Sequence, residues 1–133
     1  MSLPAKHATH NKDEIVVHVA ARLEEIPEIE RTTKGIIKVL KKYGGYEPEV
    51  DDILVCRIAT ALLYLKRSEL FLDAPEADEK TYTRITDVQT KQQSMIENAM
   101  EQLALNRRDR LSRKEEADLA AKIREAIASA RQQ

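Results

Sequence analysis

The stretch PEVDDILVCRIATALLYLKRSELFLD, residues 48–73, sets the architecture of this chain. Its leading proline fits the first turn of a helix, where a missing N–H is not needed. Asp51 and Asp52 follow where the helix dipole favours negative charge. Beyond them Leu54, Ile58, Ala61, Leu65 and Leu72 recur at helical spacing, and Ile53, Cys56, Leu63 and Leu70 form a second stripe. A helix apolar on nearly every side is buried on nearly every side. At 1.5 Å per residue this one is about 40 Å long, more than a small domain is wide. The expectation is that copies of the same chain cover what its own short helices cannot.

Asp73-Ala74-Pro75 breaks the helix, and a return arm runs from Glu76 to Leu105. Its apolar stripe is thin and is interrupted by Gln89, Gln92 and Gln93, polar residues that within a packing seam cost stability and set register. The run Lys80 to Thr86 is rich in β-branched residues, which predicts that the arm begins only near Asp87. Residues 47–106 thus read as a long antiparallel helical hairpin and an oligomerisation core. The candidate contacts between copies are Leu54, Ile58, Leu62, Leu65, Leu72, Ile85, Val88, Gln92, Met95, Ile96 and Leu103.

On the N-terminal side, residues 1–11 lack periodicity and read as a mobile arm, and residues 12–46 as short helices. Asn11 or Asp13 caps a first helix carrying Ile15, Val16, Val19, Leu23 and Ile26. Pro27 opens a second with Ile29, Ile36, Ile37, Leu40 and Tyr43 on one face, and Gly44-Gly45 ends it. The segment Val19 to Leu40 also fits, weakly, a helix-turn-helix turning near Pro27. On the C-terminal side, the basic run Asn106 to Arg110 is explained by helix-end electrostatics. Ser112, three residues before Glu115, then forms a capping box for a final helix within residues 107–133. Leu119, Ile123, Ala126, Ile127 and Ala130 lie along its narrow face.

Composition agrees with an all-α chain: 133 residues hold four prolines, three glycines, one phenylalanine and no tryptophan. A net charge of −1 announces no global attraction to nucleic acid, so such a role needs a local patch. The single cysteine, Cys56, excludes an internal disulfide and fits a reducing cytoplasm. No run is apolar enough for a membrane span, and the polar N-terminus is unlike a signal peptide. His7 and His10 lack the further ligands a metal site needs, and His18 reads as a surface or packing residue. The acidic pairs Glu24-Glu25, Asp51-Asp52 and Glu115-Glu116 diverge by about 100° on a helix, unlike converging acid–base carboxylates. With no phosphate-cradling loop either, the reading is of a non-enzymatic chain without cofactor or metal.

One pattern is of another kind. Arg31, Lys34, Lys38, Lys41 and Lys42 occupy about a third of the circumference of the second helix, opposite its apolar face. Repeated around an oligomer, this stripe becomes a positive surface suited to a phosphate backbone. Aromatic residues are not interleaved with it, which points away from stacking on single strands.

From Pro27 to Leu111, the order of elements resembles the small terminase subunit of tailed bacteriophages. The resemblance rests on the apolar-basic helix Glu30 to Leu40, the acidic start Glu49 to Asp52, the long apolar helix Ile53 to Leu72, and the arm Lys91 to Leu103. Leu103, Leu105 and Arg110 match a closing leucine-glycine-leucine-threonine-proline turn and arginine; Ala104 stands for the glycine and Asn106-Arg107 for threonine-proline, so the helix can run on through Arg110. The resemblance implies a ring-shaped homo-oligomer in the host cytoplasm that binds double-stranded viral DNA. It also implies delivery of that DNA to a large ATPase-nuclease subunit, with the C-terminal helix docking that subunit or closing the ring. The alternative reading is an oligomeric helical adaptor that does not bind DNA.

Overall fold

The computed structural model describes residues 21–72 and 78–132. Among them the chain is all helical, with a 3-10 turn at Leu23–Glu25 and four helices: α1 Ile26–Lys42, α2 Pro48–Leu72, α3 Glu79–Leu105 and α4 Arg113–Arg131. The expected cap at Asn11 or Asp13, the expected break at Asp73-Ala74-Pro75 and all three histidines lie outside the described residues.

Each helix begins and ends where local chemistry directs. Pro27 sits in the first turn of α1, but the 3-10 turn runs straight into that helix, so there is no helix-turn-helix corner near Pro27. Gly44 and Gly45 follow α1 with φ of 82° and 88°, left-handed values that a side chain would strain. The capping box at Ser112 forms as its spacing predicts: its hydroxyl accepts from Glu115 N–H at 3.2 Å, and its own N–H donates to Glu115 Oε1 at 3.0 Å.

The return helix starts at Glu79, well before the expected Asp87. Asp78 caps it by accepting the N–H of Thr81 at 2.7 Å. Thr83, Thr86 and Thr90 each donate a hydroxyl to the carbonyl four residues back, at 2.9–3.1 Å. The threonine hydroxyls are thus satisfied within a helical backbone, and weak propensity does not delay its start. At the other end α3 stops at Leu105 instead of running on through Arg110, and tight turns occupy 106–110.

One core takes side chains from all four helices, including Ile36, Ile37 and Leu40 of α1, Val55 and Ile58 of α2, Leu103 of α3, and Leu119 and Ile123 of α4. The most extensive packing is α2 on α3, then α1 on α4. At the α1–α4 crossing the helices approach so closely that a Cβ on Gly35 would stand 3.2 Å from that of Ala126. Ion pairs fasten the start of α1 to the end of α2, Lys66 to Glu28 at 2.6 Å and Arg67 to Glu25 at 2.7 Å. The expectation that the chain's own helices cannot cover α2 is therefore corrected for one side of that helix only. Leu54, Ile58, Leu62, Leu65 and Leu103, expected between copies, are buried inside the single chain.

Burial is nonetheless uneven. Fully buried side chains of α3 come only from its last two turns, Ala99, Met100 and Leu103. Ile53 and Leu70, read as part of an all-round apolar helix, are exposed.

Candidate nucleic-acid and assembly surfaces

The basic residues divide by what holds them. Lys34, Lys38, Lys41 and Lys42 are exposed on α1, opposite the buried Ile29, Ile36 and Leu40. None of the four is ion-paired among the described residues, and Lys41 and Lys42 lie over the rings of Tyr46 and Tyr43, each 5.9 Å from the centroid. Arg31, read as the fifth member of the stripe, is half-buried, and its Nε and Nη2 donate to the Ala130 carbonyl at 3.2 and 3.1 Å. That carbonyl belongs to the last turn of α4, which has no N–H of its own to offer it, and the negative end of the helix dipole favours the cation. Arg31 thus joins two helices.

Arg107 goes beyond its reading as a helix-end cation. It is fully buried and pairs with Asp51, itself fully buried in the first turn of α2. Arg107 also donates to the carbonyls of Leu103 at 2.8 Å and Gly45 at 2.9 Å, while the Asp51 carboxylate accepts the N–H of Glu47 at 2.8 Å. Its side chain packs on Gly44, where a Cβ would meet the Arg107 Cγ at 3.1 Å. Beside it Arg110 donates to the Gly44 carbonyl and pairs with Glu47 at 2.6 Å. The basic run after α3 therefore clamps the loop between α1 and α2, at the end of α1 that carries Lys41 and Lys42. The sequence spaces Asp51 and Arg107 by 56 residues and offers no local signal that they meet.

The assembly candidates divide as well. Leu72, Ile85, Gln92 and Ile96 are half-buried, and Val88 and Met95 are exposed. The buried Gln92 Oε1 has no hydrogen-bond partner among the described residues. Of the five exposed apolar residues of α2, Val50, Ile53, Tyr64 and Phe71 fall within about 60° of one another around the helix, and Leu70 lies about 100° outside that arc. That arc lies on the far side of α2 from Ala59, Leu62, Leu63 and Lys66, which border α1. On α3, Val88 and Met95 likewise lie opposite Gln93, Glu97 and Met100, which line a groove shared with α4. Phe71 and Val88 border the same cleft between α2 and α3, so the two sets share one face. This bare face is turned away from α1 and α4. Along this face of α2, Ile53, Arg57, Thr60, Tyr64, Arg67 and Phe71 alternate four and three residues apart, and their mixed polar and apolar character gives no separate signal in the sequence.

Among the described residues no three His, Cys, Asp or Glu side chains converge as a metal site. No helix among them is long and apolar enough to cross a membrane. The half-buried Cys56 thiol is pushed up from its ordinary pKa by desolvation, which keeps it protonated. Comparison with family models, with curated proteins and with solved structures finds no match to this chain.

Proposed function

We propose that this chain is a non-catalytic, self-assembling subunit that binds double-stranded DNA, in the manner of the small terminase subunits its sequence resembles. Lys34, Lys38, Lys41 and Lys42 meet the phosphate backbone, and the bare face of α2 and α3 meets neighbouring copies. In a packaging motor the assembled subunit passes viral DNA to a large ATPase-nuclease. The observation that carries the DNA reading is the exposure of four lysines on one helix face, with no carboxylate paired to any of them among the described residues. Cations left unpaired within reach of one another are available to release the counterions of a duplex.

The decisive experiment is a titration of fluorescent duplex DNA with the full chain across a salt series. Log affinity should fall linearly with log salt, by roughly 0.9 for each phosphate contacted. Binding that ignores salt, or none by the assembled protein, ends the DNA reading.

A second reading, a helical adaptor without DNA, is favoured by the open groove between α3 and α4. This groove of about 640 Å³ has Leu62, Ile96, Met100 and Ile127 among its lining residues, with Glu97, Arg124 and Arg131 beside them. It suits an amphipathic partner helix. Stable co-purification with one helical protein, with no affinity for duplex DNA, would select it.

A further inference from the structure

We propose that the bare face of α2 and α3 in one copy seats on the groove between α3 and α4 of the next, so that copies of this chain join head to tail. This pairing rests on the reading that the face meets neighbouring copies, and it names the surface that receives it. The face offers Ile53, Tyr64, Val88 and Met95, all exposed. The groove, about 640 Å³ in volume, has Leu62, Ile96, Met100 and Ile127 in its lining. Apolar side chains without cover thus have an apolar recess on the same molecule.

Face and groove cannot meet within one chain, because they lie on opposite sides of α3. Met95 lies about 20° around the helix from Val88, whereas Gln93 and Glu97 of the groove lie about 140° and 180° from it. Each copy therefore carries one surface to give and another to receive, and the same contact can repeat from copy to copy.

Charge selects this pairing over a two-fold one. Arg57 on α2 and Arg84 and Lys91 on α3 are exposed, and none has an ion pair among the described residues. Arg57 lies within about 40° of Ile53, and Arg84 and Lys91 within about 60° of Val88, so all three belong to the bare face. The carboxylate beside them on α2 is Glu49, in the first turn. Glu79, Glu97 and Glu101 instead fall about 140–180° from Val88, on the groove side of α3, and Asp87 lies between the two sets. The groove's own cations, Arg124 and Arg131, are held by Glu97 and Glu69 at 3.1 and 3.2 Å, while Glu79 and Glu101 have no ion pair among the described residues. A two-fold contact sets the same patch against itself and brings the cations of two copies together, which is unfavourable. The head-to-tail contact brings them to the carboxylates of the next copy.

Mixing two full-length variants tests it by light scattering. Ile53→Glu with Tyr64→Glu spoils the face and keeps the groove; Ser94→Trp with Ala128→Trp fills the groove and keeps the face. All four positions are exposed, so helicity should hold in both. Each variant alone should be monomeric, and an equal mixture should form a dimer holding one chain of each, because one face and one groove remain to pair. A groove variant that still assembles by itself, while the face variant falls apart, overturns this pairing and leaves the assembly reading standing. A wild-type chain that is monomeric at micromolar concentration removes both. Independently, in a Cys56→Ser background, Tyr64→Cys chains mixed with Ser94→Cys chains should cross-link to them in several-fold higher yield than to one another. Preferred links between two Tyr64→Cys chains mark a two-fold contact and overturn the proposal.

Discussion

Arg107 reaches back across 56 residues to pair with Asp51, and both side chains are almost fully excluded from solvent. The pair ties the turn after α3 to the first turn of α2, and through the Gly45 carbonyl to the loop that ends α1. Three segments thus converge on one guanidinium. Removing either partner leaves a buried charge without compensation, which costs about 3–5 kcal/mol. Arg107→Met and Asp51→Leu should each destabilise the chain by that order in urea titrations. The double variant should lose clearly less than the sum of the two. Full additivity would mean that the two charges do not stabilise one another.

Charge reversal of the α1 stripe should separate binding from folding. Lys34→Glu, Lys38→Glu and Lys41→Glu change exposed side chains, so helicity and melting temperature should hold nearly constant. Duplex affinity should fall, and the salt dependence should flatten by about 0.9 for each phosphate no longer neutralised. Arg31→Glu should behave in the opposite way, lowering stability by removing the bonds to Ala130.

The bare face makes a separate prediction about assembly. Ile53→Glu with Tyr64→Glu places two charges where the single chain leaves apolar groups exposed. Mass measured by light scattering should fall to that of a smaller species, while far-ultraviolet circular dichroism stays unchanged. A wild-type chain that is already monomeric at micromolar concentration would remove the assembly role from this face.

Acid should loosen the start of α1. The hydrogen bonds from Arg67 hold the Glu25 carboxyl below its ordinary value of 4.5, with the Arg67 charge adding to the effect against desolvation. A carboxylate with a lowered folded-state pKa stabilises the fold above its unfolded value. That contribution fades as pH falls from about 4.5 through the lower folded value. Glu25 and Arg67 are partly exposed, so the pair contributes at most about 1 kcal/mol. Glu25→Gln should therefore melt slightly lower at pH 7 and lose part of the acid sensitivity of the parent, as followed by melting temperature from pH 7 to pH 3.

Close packing at Gly35 gives a graded test. Gly35→Ala sets a Cβ at 3.2 Å from Ala126 while adding about 1 kcal/mol of helix propensity, so its net effect should be small. Gly35→Leu has no such room and should cost about 1–3 kcal/mol by forcing α1 and α4 apart. Chemical denaturation of the two variants separates these outcomes.

The helices themselves were legible along the chain, apart from the start and the end of α3. Pro27 and Pro48, Gly44-Gly45 and the Ser112–Glu115 box mark their ends through backbone chemistry that acts over a few residues. The apolar face of α1 and the exposed lysines opposite it were equally legible, because helical period alone separates them. Which apolar surface is internal emerged only on folding. An apolar residue has the same period whether it faces its own chain or another, so Leu54 and Ile53 look alike in sequence, yet one is buried and the other exposed. Folding also settled the fate of the arginines. Arg31, Arg107 and Arg110 read as members of basic runs, but each is held by a partner from a distant segment: the Ala130 carbonyl, Asp51 and Glu47. Burial and pairing depend on chain segments brought together in three dimensions, and charge patterning within a run of five residues carries no trace of them.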